Sequence, residues 1–283
     1  GEQVRSGLAW IGAFCDCWSP PQSIPAMITH RLYKTEAIVL RRRDLGEADK
    51  VLVLYTPYLG KLSAVAKGVR RPTSKLGGHV ELLTHSMMML ARGRNLDIVT
   101  QSQILHSFPG LRSNLERTSY AFCAAELVQR FTEEHIENQP LFRLLLNLLL
   151  YLEETDSPDL ALRHFEVHVL GLVGYRPELR RCLTCDSDLR PVSNFFSAAA
   201  GGTLCPICGT RDRLARPISL NALKVLRFLQ DAPTVNEAKI SLDPRLSKEL
   251  EGILTEYITY LLEGEVKSMR FLRDLKRGAS LPA

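Results

Sequence analysis

No stretch of this sequence reaches the roughly 18 uncharged apolar residues that a membrane-spanning helix needs. The most apolar run, Leu144 to Leu152, is shorter and contains Asn147. No membrane partner is expected. The chain also lacks a GxxxxGK[ST] loop and a GxGxxG turn, so nucleotide hydrolysis and dinucleotide redox chemistry are unsupported. No HExxH order is present, and His164 and His168 read as ordinary histidines one helical turn apart. Nothing marks an activated serine. Aromatic residues make up only 7% of the chain, and Tyr33, Tyr55 and Tyr58 are the only ones between Arg31 and His106. They are candidates for stacking on bases. Tyr55, inside an apolar strand, reads instead as core.

The net charge of +5 is modest but unevenly spread. Between Arg31 and His106 there are 13 Lys and Arg against 6 Asp and Glu. From Ser107 onward the balance is 22 against 23. A polyanion bound in the first region fits this asymmetry, and so does a solvated basic surface.

The basic region reads as short strands. Ala37 to Leu40 runs into Arg41, Arg42 and Arg43. Val51 to Tyr55 is β-branched and aromatic, and Pro57 ends it. Leu62 to Ala66 follows Gly60 and runs into Lys67, Arg70 and Arg71. Past a basic loop that holds Lys75, Leu83 to Leu90 and Leu96 to Ile104 give two more, joined by a turn with Arg92 and Arg94. Five short strands match a partly open Greek-key barrel of the oligonucleotide-binding (OB) type. Cations at strand ends and in loops suit a phosphate backbone. Arg43 has Asp44 and Glu47 as possible partners, and Lys67 is equally placed to cover the barrel rim.

The remainder follows a helical period. Leu115 to Glu133 is preceded by Asn114 as N-cap, and Cys123 lies within it as a small buried residue. Pro140 starts a helix that is apolar nearly all round. Pro158 starts another with Leu162, Phe165, Val169, Leu172 and Val173 inward, ended by Gly174 and Pro177. Ser219 and Asp243 cap two more. The segment Lys267 to Arg277 is a basic amphipathic tail. It suits packing onto the bundle, or docking an acidic partner peptide with Arg270 and Arg273 as the rim. Residues 1–26 share neither the strand pattern nor the helical period of the rest of the chain, and are expected to be a poorly ordered upstream extension.

Seven cysteines is an odd count, and four of them form Cys182-x2-Cys185 and Cys205-x2-Cys208, with nineteen residues between the pairs. That pattern argues for a reducing compartment and a tetrahedral thiolate site for one structural zinc ion, with an iron–sulfur centre as the alternative. Four thiolates leave no open position for substrate. One enzymatic pattern competes with this reading. His164-Phe165-Glu166 followed by Cys182-x2-Cys185 echoes zinc deaminases, but Arg181 stands where that pattern needs proline.

Three segments carry a resemblance to a known family: EAIVLRRRDLGEADKVLVLYT, GKLSAVAKGVRR and LARGRNLDIV. They resemble the N-terminal OB fold of the RecO family of bacterial recombination mediators, and the likeness extends over most of the chain from Thr35. The resemblance implies an OB-fold domain at 27–107 and an α-helical domain at 108–283 with a zinc module at 180–212. It also implies binding to single- and double-stranded DNA, annealing of complementary strands, and engagement of the acidic C-terminal tail of single-stranded-DNA-binding protein. With a RecR-like partner, it implies loading of recombinase onto coated strands in a cytoplasmic, nucleoid-associated setting. The expected class is therefore α+β multidomain and non-enzymatic. A zinc-containing interaction scaffold without direct DNA binding stands as the alternative. The DNA-binding candidates are Arg41, Arg42, Arg43, Lys67, Arg70, Arg71, Lys75, Arg92 and Arg94.

Overall fold

A computed structural model describes residues 31–279 apart from Lys75, Ala238 and Lys239. The expected extension at residues 1–26, and the candidate Lys75, lie outside the described residues.

Five strands form a barrel: β1 (Leu32–Leu45), β2 (Asp49–Thr56), β3 (Gly60–Ala66), β4 (His85–Ala91) and β5 (Asp97–His106). The barrel is closed rather than partly open, in the order β1-β2-β3-β5-β4, with β1 completing it against β4. Closure is possible because β1 is fourteen residues long. Its first half pairs with β4 and its second half with β2, and the register shifts between Val39 and Arg41. A bulge of this kind bends a strand around a barrel corner. β3 and β5 pair in parallel.

Alternation along β1 explains its continuous apolar run. Ala37 and Val39 face the barrel interior with Leu52, Leu54, Leu62, Met88 and Leu90. Ile38 and Leu40 face the helices and join their core. A strand buried on both faces reads as unbroken hydrophobics. The fourth strand begins at His85, two residues later than the sequence pattern predicts. Leu83 has a positive φ of 63 and packs as a buried corner instead.

The helices are α1 (Pro109–Arg112), α2 (Leu115–Phe131), α3 (Gln139–Leu152) and α4 (Pro158–Leu172). Asn114 caps α2 by accepting from the Arg117 N–H, and Asn138 caps α3 by accepting from the Leu141 N–H. α4 is central, with Leu162, Phe165 and Val169 fully buried. Leu172, predicted inward, is exposed because α4 ends there, at the protein surface.

The chain then builds a small module of β6 (Asn194–Ser197), β7 (Gly202–Leu204), the one-turn α5 (Pro206–Gly209) and β8 (Arg216–Ile218), with strand order β7-β6-β8. α6 (Leu220–Asp231) follows, capped by Ser219, and α7 (Pro244–Leu261), capped by Asp243. α8 (Lys267–Ala279) buries Met269 and Leu272 in the bundle. Among the described residues, no helix is long and apolar enough to cross a membrane.

The barrel meets the helices on one side. Tyr55 is fully buried and stacks on Phe142 of α3 at 6.3 Å between ring centroids. The Lys61 ammonium donates to the carbonyls of Gln129 (2.6 Å) and Thr132, which lie at the C-terminal end of α2. Gly60 has φ +63, and the Ile136 carbonyl lies where a Cβ would stand.

Candidate nucleic-acid interface and metal centre

The loops on the other side of the barrel collect the cations. The β1–β2 turn meets the segment after β3: the Gly68 N–H donates to the Asp49 carboxylate at 2.7 Å, and the Arg70 N–H to the Ala48 carbonyl at 3.0 Å. The parallel pairing of Ala64 with Asp97 and Val65 with Ile98 brings the β4–β5 turn to the same end. Lys67, Arg70 and Arg71 in one loop and Arg92 and Arg94 in the other thus gather on one rim. The distance in sequence between them is bridged by barrel closure.

Arg41, Arg42 and Arg43 are not at a strand end. They lie within β1, paired with Val53, Leu52 and Val51. The sequence pattern ended the strand at Leu40 because the apolar run stops there. The strand continues because β2 supplies its hydrogen-bond partners. Alternation then separates the three side chains. Arg41 and Arg43 are exposed on the outer face. Arg42 shares the face of the interior residue Leu52 and ion-pairs with Glu81 at the barrel mouth.

Local acids neutralise some of these charges. Asp44 takes Lys50 at 2.6 Å and Arg70 at 3.5 Å, and the Lys50 hydrogen bond holds its carboxyl below the usual range. Arg43 is left without an acidic partner among the described residues. Arg92 lies over the Tyr33 ring at 5.7 Å, and Tyr33 donates its hydroxyl to Asp97. Burial, reinforced by that carboxylate, raises the Tyr33 phenol well above its ordinary value. Arg41, Arg43, Lys67, Arg71 and Arg94 are exposed and make no ion pair among the described residues. Tyr33 as the platform beneath Arg92 was not legible from strand composition. Only the β1–β4 and β4–β5 pairings place them together.

The four predicted cysteines converge. Their sulfurs all lie within 4.8 Å of one another, with Cys185 and Cys205 at 3.9 Å. Each pair sits on a tight turn. The Asp186 N–H donates to the Cys182 carbonyl and the Gly209 N–H to the Cys205 carbonyl, both at 2.8 Å. A Cβ at Gly209 would stand 2.3 Å from the Phe195 ring, so only glycine lets the second turn lie against β6. The Ser187 hydroxyl and N–H draw the Cys185 thiol down to about 6, while the adjacent Cys205 thiol pushes Cys208 up to about 12. Four thiols at this spacing cannot all ionise alone. A soft divalent cation resolves the conflict, and the donor set fits it.

The deaminase-like arrangement is not assembled. His164 shares a hydrogen bond of 2.9 Å with the Ala232 carbonyl, and His168 one of 2.9 Å with the Leu229 carbonyl. Glu166 is fully buried beside Arg163 at 2.8 Å. Neither His164 nor Glu166 joins the cysteine cluster. The reason is the i, i+2 spacing, which sends the two side chains to different sides of α4.

On α8, Arg270 pairs with Glu265 at 3.0 Å and Arg273 with Glu251 at 3.8 Å. Between them Phe271 is half-exposed, an apolar neighbour that sequence reasoning did not single out. Arg273 also lines a cleft of about 1520 Å³ between α2, α7 and α8.

A closed five-stranded barrel with a cationic rim, joined to a helical bundle that carries a four-cysteine module, defines the class: an OB-type protein with a helical C-terminal part whose four cysteines could hold a metal ion. Two family models match in sequence order, "Recombination protein O N terminal" over residues 27–108 and "Recombination protein O C terminal" over residues 112–270. Curated relatives agree. The chain is 46% identical over 247 residues to a DNA repair protein RecO of Roseiflexus sp. strain RS-1, covering 87% of each. It is 39% identical over 244 residues to a DNA repair protein RecO of Dehalococcoides mccartyi, covering 86% of this chain and 96% of the relative. A RecO of Pelotomaculum thermopropionicum is 42% identical over 245 residues, covering 86% of this chain and 94% of the relative. This chain belongs to the RecO family of DNA repair proteins.

Proposed function

We propose that the chain is a non-enzymatic mediator of recombinational repair that holds DNA on the barrel rim and anneals complementary strands. The observation that carries this reading is the set of cations at Arg41, Arg43, Lys67, Arg71 and Arg94, exposed and without an ion pair among the described residues, borne on the outer wall of β1 and on the two loops at the barrel end opposite the Gly60 turn. Phosphate contacts of this kind bind without strong sequence preference. Residues 27–107 act as the nucleic-acid part and residues 108–283 as the partner-binding part. The four cysteines hold one structural zinc ion, which keeps the module folded and leaves no position open for substrate.

The helical part takes the acidic C-terminal tail of single-stranded-DNA-binding protein, with Arg270 and Arg273 of α8 as the cationic rim and the half-exposed Phe271 between them. Together with a RecR-like partner, the protein helps load recombinase onto coated single strands in the cytoplasm. Affinity for single-stranded and duplex DNA across a salt series tests the DNA reading. The expected result is affinity that falls steeply with salt on both substrates. Absent or salt-insensitive binding would leave the zinc-containing interaction scaffold as the function. Titration of a tail peptide against Arg270→Ala/Arg273→Ala tests the partner reading, and unchanged affinity would place the seat elsewhere.

A further inference from the structure

The four-cysteine module carries arginines of two kinds, some held in ion pairs and others not. Between Arg180 and Arg216 it carries six arginines and no lysine. Three are paired with carboxylates: Arg180 with Asp231 at 2.7 Å, Arg181 with Asp186 at 3.0 Å, and Arg216 with Glu256 at 2.7 Å. These pairs tie the module to α6 and α7 and brace its first turn. Arg190, Arg211 and Arg213 are exposed and make no ion pair among the described residues.

The second turn shows how two of them are presented. Backbone hydrogen bonds join the N–H groups of Gly209, Thr210, Arg211, Asp212 and Ala215 to the carbonyls of Cys205, Pro206, Cys208, Gly209 and Asp212 respectively. Asp212, between the two arginines, does not neutralise them. Its carboxylate accepts from the Ser197 hydroxyl at 2.7 Å and the Leu214 N–H at 2.9 Å. Asp212 therefore pins the turn to β6 while Arg211 and Arg213 stand in solvent. Beside them Ile207 is 68% exposed and Leu214 65% exposed.

We infer that this turn is a second seat for a nucleic-acid strand, separate from the barrel rim. The two guanidinium groups match phosphate oxygens with directed, paired donors. Ile207 and Leu214 offer apolar contact to sugar and base faces. The footprint is a few residues on a protruding turn, far smaller than the ~800 Å² per partner of a stable protein interface. A polymer with a phosphate at every step suits it better. The inference rests on the reading of the rim as the first DNA seat. A second seat then lets one chain hold two strands at once, which annealing requires.

The test uses the full-length, zinc-loaded protein and two non-complementary labelled oligonucleotides. Energy transfer between the labels reports capture of both strands on one chain, with the strands in excess over protein and at low salt. Arg211→Ala/Arg213→Ala should keep its zinc and bind a first strand with the parental salt slope. Its two-strand capture should weaken, and the salt slope of the remaining second-strand binding should be shallower by about 1.4, at roughly 0.7 per phosphate contact. Unchanged two-strand capture would overturn the inference. In the unmutated protein, photo-crosslinking to a 4-thiothymidine strand gives an independent readout. Adducts on both the barrel and the 205–215 turn support two seats. Adducts on the barrel alone overturn this inference and leave the rim reading standing. Adducts on neither overturn both. Poly-glutamate competing for the turn as well as an oligonucleotide of equal charge would overturn it in favour of an acidic protein ligand.

Discussion

Single residues in the metal module and in α4 carry consequences that can be measured one at a time. Replacing Cys182 or Cys208 by serine leaves three thiols around a position built for a cation, and a half-filled site loses the folding energy that metal binding supplies. Each variant should bind less than one equivalent of zinc and unfold at lower temperature, while first-strand DNA affinity falls less. Metal analysis beside thermal denaturation checks this. His164 behaves differently. Burial lowers its imidazole to about 4, against the opposing pull of the Ala232 carbonyl. Its folded value thus lies below its unfolded value near 6.5, so the unfolded chain binds the proton first. Stability contributed here is present above pH 6.5 and is lost as pH falls toward 4. His164→Gln should flatten this part of the stability curve, by on the order of 2 kcal/mol between those limits. Denaturant titrations of both proteins at several pH values check it.

At the scale of elements, the junction between barrel and helices is the most sensitive point. Gly60 opens β3 with φ +63, and the Ile136 carbonyl occupies the place of a side chain. Gly60→Ala meets both a strained backbone and a backbone clash, and should destabilise by more than about 2 kcal/mol. A shift in denaturation midpoint checks it.

The same elements show what was legible beforehand. Helix starts were readable because Asn114, Ser219 and Asp243 each make the capping bond that their side chains advertise. The four cysteines were readable because their spacing alone specifies a cage. The extent of β1 was not, since the strand crosses from a two-sided core to a solvated face and its apolar signal stops at Leu40. The fates of the neighbouring Arg41, Arg42 and Arg43 were hidden for the same reason. Only the pairing register with β2 shows that the middle one turns to Glu81 while its neighbours face water. Phe271 on α8 was hidden by a different cause, because an amphipathic pattern marks the buried stripe and is silent about which apolar residue is left outside it.

At the scale of the whole molecule, the barrel separates two tasks. One side is sealed to the bundle by Tyr55, Phe142 and Gly60. The rim away from it carries cations from β1 and from two loops that are distant in sequence. Closure of the barrel, and the parallel β3–β5 pairing above all, makes them one surface. The central claim is that this surface holds the phosphate backbone. The most direct measurement is the salt dependence of single-strand affinity for the parental protein and for Arg41→Ala/Arg43→Ala/Arg71→Ala/Arg94→Ala. With about five phosphates neutralised, the parental log–log slope should be near −3.5, and the fourfold variant should approach about −0.7. The variant should retain its zinc and its unfolding temperature, because these side chains are exposed and unpaired. A variant that folds, holds zinc and keeps the parental slope would contradict the claim and remove the rim as the DNA site.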